Sequence, residues 1–196
     1  YAAIAVQGPE SKKILMTLAG GKQLTPENVK NALNTLTMEG KPVRIAKTGY
    51  TGEPIGYELY CNSEDARYFW DRLIELGAKP TALGARDTTR MEASLPLYGH
   101  EMGECEMGGE IQIYAVPLAK FAVSFAPEKG DFIGREPLKK QFEAMKKIMN
   151  RDYSSIEDLP YRIQPIYLEG KGVLRKGFPI YCKDAWAEGK QIGYVT

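Results

Sequence analysis

Leu83-Gly-Ala-Arg-Asp-Thr-Thr-Arg-Met-Glu-Ala-Ser-Leu-Pro-Leu-Tyr-Gly-His-Glu101 sets two arginines, three acids and a tyrosine among apolar residues spaced as on one buried helix face. Leu83, Met91 and the small Gly84 and Ala85 predict a helix over 83–93 that approaches a sheet closely, stopped by Leu95-Pro96. Upstream, Lys47-Thr-Gly-Tyr-Thr-Gly-Glu-Pro-Ile-Gly-Tyr-Glu58 brings a carboxylate and two tyrosine rings close to a glycine-rich backbone. Together the two strings read as a pocket for a flat, polar, ring-shaped ligand.

Working outward, strands and helices alternate. The opening Tyr1-Ala-Ala-Ile-Ala-Val-Gln7 reads as a buried strand closed by Gly8-Pro9, and 10–18 as a helix. Pro26 at a first-turn position predicts a helix over 26–36, followed by a short strand at 42–46. In Tyr57-Glu-Leu-Tyr60 the alternation puts Tyr57 and Leu59 on one face, Glu58 and Tyr60 on the other. Ser63 is expected to cap a helix carrying Phe69, Trp70, Leu73, Ile74 and Leu76, ended by Gly77.

Past Gly99 a loop is expected to Glu110, then strand-like alternation over 111–125 and a basic amphipathic helix over 137–149. Short strands at 163–168, 177–181 and 191–195 suggest an antiparallel barrel or sandwich beginning. The expected class is thus α+β: an α+β domain at 1–149, a linker or insertion at 150–160, and the start of an antiparallel β-barrel domain at 161–196. Both ends read as if cut from inside strands, which suggests an internal piece of a longer protein.

The 196 residues carry 26 basic and 25 acidic side chains, a net charge of +1 with no long block of one sign. Nothing in that balance predicts a nucleic-acid or membrane partner. Cys61, Cys105 and Cys182 are widely spaced, with His100 the one histidine, so neither a zinc site nor a disulfide framework is expected. A reducing, cytoplasmic location fits, and no apolar run is long enough to span a bilayer.

As chemistry, Glu58 could accept two hydrogen bonds from a ring with adjacent N–H groups, or simply face water. The planar fork of Arg86 could bind a carbonyl or stack on a ring, or share a solvated ladder with Asp87 and Arg90. Tyr50 and Tyr98 could stack on an aromatic ligand or serve as half-buried core residues. His100 reads as structural or exposed, since no nucleophile accompanies it.

Six strings occur in one order: Ile4-Ala-Val-Gln-Gly-Pro9; Thr48-Gly-Tyr-Thr-Gly-Glu53 with Gly56-Tyr-Glu58; Leu83-Gly-Ala-Arg-Asp-Thr88 with Leu95-Pro-Leu-Tyr-Gly-His-Glu101; Asp131-Phe-Ile-Gly-Arg-Glu136; Gly172-Val-Leu-Arg175; and Ile192-Gly-Tyr-Val-Thr196. In this order the chain resembles the aminomethyltransferase, or T-protein, family of the glycine cleavage system. The resemblance implies a folate-binding fold and a reaction in which an aminomethyl group on the lipoyl arm of the H-protein passes to tetrahydrofolate, with ammonia released. It implies that Glu58 and Arg86 bind the pterin and that Tyr50 and Tyr98 belong to the folate cavity.

The departures carry their own expectations. The loop before Glu58 holds Pro54-Ile55 where the family usually has one residue, an insertion that could be absorbed in the turn or could shift the strand and turn Glu58 to the other face. Lys47 stands where arginine is common, and Tyr114-Ala-Val-Pro-Leu-Ala-Lys-Phe121 replaces a segment that walls the folate cavity. The family's essential aspartate lies upstream of the Ala-Val-Gln-Gly-Pro string, so this stretch alone is expected to be inactive. The alternative is a folate-binding relative without transfer activity: a binding module, a domain of a one-carbon demethylase, or an iron-sulfur assembly factor.

Overall fold

The computed structural model describes residues 1–29, 31–184 and 188–196. Two compact units divide between Leu95 and Pro96.

The first unit is a four-stranded antiparallel sheet with helices. Its elements are β1 (Ala2–Gln7), α1 (Ser11–Leu18), β2 (Leu33–Met38), β3 (Lys41–Ala46), β4 (Gly56–Cys61), α2 (Ala66–Glu75) and α3 (Leu83–Glu92). Strand order is β1-β4-β3-β2, which leaves β1 at an edge. Alternation along β4 sends Tyr57, Leu59 and Cys61 inward, where they join Leu15 and Leu18 of α1 and Phe69 and Leu73 of α2 in one apolar core. Glu58 and Tyr60 take the opposite face, as their spacing predicts.

Among the described residues of 26–36 no helix forms. Leu33–Met38 is instead strand, paired with β3 so that Met38 faces Lys41 across a two-residue turn. Glu39 (φ 46°) and Gly40 (φ 82°) both take the left-handed backbone of a hairpin turn whose twist matches its strands. The local helix signal of Pro26 loses to this pairing, which buries Met38, Val43 and Ile45.

At the start of α2, Ser63 makes no capping bond; Ser63–Asp65 is a 3-10 turn that leads into the helix. The other end is as expected, because Gly77 at φ 98° lets its own N–H reach the Ile74 carbonyl (2.9 Å) and that of Ala78 reach Leu73 (2.9 Å). α3 closes with the same pair of bonds, from Ser94 to Met91 (2.8 Å) and from Leu95 to Arg90 (2.8 Å), although Ser94 supplies the left-handed residue at φ 56°.

The expected apolar face of α3 is corrected. Leu83 is 79% exposed, Met91 is exposed too, and the buried residue of the helix is Arg90. Two apolar side chains eight positions apart are too few for a stripe, which takes three or four in two turns.

The second unit holds a short ribbon of β5 (Gly103–Glu104) and β6 (Glu110–Ile111), the helix α4 (Arg135–Met149), and a hairpin of β7 (Pro179–Tyr181) and β8 (Gln191–Tyr194). The strand expected over 111–125 ends at Ile111, and 3-10 turns at Ile113–Ala115 and Pro117–Phe121 follow, because Pro117 has no N–H to give a ladder. No strand forms over 163–168, where the Ile163 N–H donates to the Ala115 carbonyl (2.9 Å). The core of this unit packs Tyr114, Ala144, Met145 and Leu159, with Tyr161, Ile163 and Tyr194 against them. Tyr114, Phe142 and Phe125 form a chain of tilted rings spaced 5.4 and 5.3 Å apart. The architecture is therefore mixed helix and sheet throughout.

Candidate functional site

A cleft of about 970 Å³ runs along the outer edge of β1 in the first unit. It is bordered by Ala5 and Gln7 of β1, the loop residues Tyr50, Gly52 and Glu53, Glu58 of β4, Trp70 and Ile74 of α2, and Arg86, Thr89 and Glu92 of α3. Three of the four expected site residues, Tyr50, Glu58 and Arg86, thus border one cavity. Tyr98 belongs to the second unit, where it is 81% exposed and bridges to Met102.

The sheet register explains why there is room around Glu58. Its neighbours on the same face are Ala5 of β1 and Ala46 of β3, so a methyl group flanks the carboxylate on each side. Tyr60, two residues on and on the same face, donates its hydroxyl to Glu58 Oε2. That bond, followed by burial, holds the Tyr60 phenol above its ordinary pKa, because ionising it would cost the bond and set two negative charges together. A carboxylate oriented by one phenol keeps further lone pairs for a ligand.

Pro54 and Ile55 do not turn Glu58 away. The β1–β4 ladder stays regular from Gln7–Gly56 to Ala2–Cys61, and the Ile55 carbonyl accepts from the Gly8 N–H (2.9 Å) and the Ser11 hydroxyl (3.4 Å).

Arg86 is exposed at the cleft rim and stands outside the ion pair that its neighbours form. Arg90 takes Asp87 through Nε (2.7 Å) and Nη2 (2.6 Å), and its Nη1 donates to the Leu95 carbonyl (3.1 Å). The ladder open to Arg86 from its spacing is thus made by Arg90, which leaves the guanidinium of Arg86 to the cleft. Lys47 points elsewhere, donating to the Glu27 carbonyl (2.9 Å). His100 is exposed, in keeping with a structural or surface residue.

Four carboxylates line the cleft, on Glu10, Glu53, Glu58 and Glu92, against the cations of Lys79 and Arg86. Such a wall favours a ligand that presents N–H donors, with an arginine fork for an acceptor. Among the described residues no cluster of metal-binding side chains occurs, and no helix is long and apolar enough to cross a membrane. All three cysteines are free.

Two contributors were missed in the sequence. Trp70, whose spacing places it with the helix core, stands 41% exposed on the cleft wall. Phe69, Leu73 and Leu76 already complete a stripe, so a tryptophan beyond it was the available signal. Gln7, read only as a strand end, reaches into the loop with its amide.

Residues 1–115 match the family model described as the GCVT N-terminal domain, and the chain belongs to that family. Along its whole length it is 36% identical over 199 residues to the aminomethyltransferase of Halalkalibacterium halodurans and 42% identical over 202 residues to that of Bacillus mycoides, covering 47% of each. The aminomethyltransferase of Anoxybacillus flavithermus is 36% identical over 199 residues, with the same coverage. The chain therefore spans about half the length of the curated relatives it matches.

Proposed function

We propose that this chain is the folate-binding part of a tetrahydrofolate-dependent aminomethyltransferase of glycine cleavage, the T-protein. The observation that carries the reading is the cleft itself: Tyr50, Glu58 and Arg86 come from two separate strings and border one cavity, with alanines on either side of the carboxylate. The names of the relatives support the transferase class.

In this reading Glu58 accepts hydrogen bonds from the N–H edge of the pterin, held in orientation by Tyr60. Arg86 binds an acceptor of the ring or stacks on it. Tyr50 supplies an aromatic wall, and Tyr98 joins the folate site on the resemblance alone. Tetrahydrofolate is the co-substrate and brings the nucleophilic nitrogen. The lipoylated H-protein delivers the aminomethyl group, and ammonia leaves. The division into a folate-binding domain at 1–149, a linker at 150–160 and the start of a C-terminal β-barrel at 161–196 belongs to the same proposal, as does a cytoplasmic setting.

Isothermal titration of the chain with tetrahydrofolate, beside Glu58→Gln and Arg86→Ala, tests the reading. Each variant is expected to weaken binding about ten- to a hundredfold, the range for losing a hydrogen bond to a charged group. Binding unchanged in both variants would overturn the placement. A full-length protein that binds tetrahydrofolate yet transfers no aminomethyl group would make it a non-transferring relative.

A further inference from the structure

We infer that Gln7 is a positioning residue, whose side-chain amide holds the loop at residues 48–55 in the shape that presents Tyr50 and Glu58 to the cleft. Only its consequence for tetrahydrofolate rests on the functional reading above.

The amide bridges the two flanks of the loop. Gln7 Nε2 donates to the Thr48 carbonyl (3.2 Å) on one side and to the Tyr57 carbonyl (3.0 Å) on the other, across sequence separations of 41 and 50 residues. Tyr50 lies two residues beyond the first contact, and Glu58 directly follows the second. Both cleft groups are thus tied through one planar group to the end of β1.

The surroundings are shaped to that amide. A Cβ at Gly49 would stand 1.9 Å from Gln7 Oε1, and one at Gly56 would stand 2.0 Å from it. Neither position takes a left-handed backbone, so the glycines there serve the space that the amide occupies rather than a turn. Gln7 Oε1 is buried with no hydrogen-bond partner among the described residues. An apolar chain of the same length would avoid that cost but could not hold two loop carbonyls with one group. Besides the amide, the Ile55 carbonyl accepts from the Gly8 N–H and the Ser11 hydroxyl at the loop's end, and Gly52 lies close against Ala93.

The test compares wild type, Gln7→Met and Val43→Ala, the last a core change in β3 away from the cleft, using amide hydrogen exchange and tetrahydrofolate titration well below each Tm. Gln7→Met is expected to speed exchange about tenfold or more in residues 49–56, with the rest of the sheet protected as before. Tetrahydrofolate affinity falls by about tenfold in the same variant. Val43→Ala lowers Tm and changes neither readout. Wild-type exchange in the loop of Gln7→Met overturns the inference. A wild-type chain that binds no tetrahydrofolate overturns the functional reading instead, while the exchange result still decides the role of Gln7. Gly49→Ala, which expels the amide with the glutamine still present, gives the same loop exchange if the inference holds and decides it if Gln7→Met does not fold.

Discussion

The Cβ that Gly52 lacks would stand 2.3 Å from the Cβ of Ala93, the residue that ends α3. The loop carrying Tyr50 and the helix carrying Arg86 therefore touch at a point with no space for one more carbon. Gly52 also sits at φ 82°, a backbone that side chains rarely adopt.

Gly52→Ala consequently meets two penalties at once. The left-handed backbone costs about 1–2 kcal/mol, and relieving the clash requires the loop or the helix end to move. Urea unfolding is expected to show a loss of at least about 2 kcal/mol, together with weaker tetrahydrofolate binding. Unchanged stability would mean that the loop and helix do not touch here in solution.

Ser94 offers the opposite case. It holds the left-handed position of the α3 cap at φ 56°, which glycine takes without steric cost, and the residue is exposed. Ser94→Gly is expected to raise stability by about 0.5–1 kcal/mol, the steric relief outweighing the added freedom of the unfolded chain. A drop in Tm would show that the serine side chain contributes something the backbone does not.

Arg90 is the one buried residue of its helix, 2% exposed, with its fork divided between Asp87 and the Leu95 carbonyl. Lysine keeps the charge but not the planar fork. Arg90→Lys is expected to cost about 1 kcal/mol and Arg90→Met about 2 kcal/mol, since each takes a donor from the Leu95 carbonyl and from an Asp87 carboxylate that water partly reaches. Equal stability of Arg90→Met and wild type by urea titration would reduce the pair to packing.

Tyr194 makes the second unit sensitive to alkali. Burial first, and its hydroxyl donated to Cys105 Sγ (3.1 Å) second, push its pKa from 10.0 up to about 12. The folded protein thus holds this proton more tightly than the unfolded chain does. The associated stability is complete below about pH 10 and disappears as pH rises through about 12. Urea midpoints across that window are expected to fall less steeply in Tyr194→Phe, which has no proton to lose; an identical slope would refute the assignment.

How far residues could be read before their contacts were known depended on whether a signal was local. The two faces of β4 followed from alternation alone, and with them the exposure of Glu58 to the cleft. Gly77 and Leu83–Glu92 were likewise set by short-range chemistry. β2 was not, because Pro26 and the apolar residues after it favour a helix until β3 is available as a partner. Burial of Arg90 ran against the ordinary exposure of arginine and depended on a carbonyl that only the folded cap supplies. Gln7 was invisible as a site residue for the same reason: its partners lie 41 and 50 residues away. The strands expected over 111–125 and 163–168 failed where Pro117 and single backbone bonds replaced a ladder.

The strand order β1-β4-β3-β2 also predicts an order of pairing. β2, β3 and β4 follow one another along the chain and can pair through short connections, whereas β1 must find β4 across about fifty residues, the slower kind of closure. The meander can thus assemble before its last strand arrives. Until β1 docks, Glu58 has Ala46 beside it but no Ala5, and no amide spans the loop. In the proposed reading the cleft is complete only once β1 has paired with β4, so fraying of this one edge is expected to weaken ligand binding while most of the sheet stays folded.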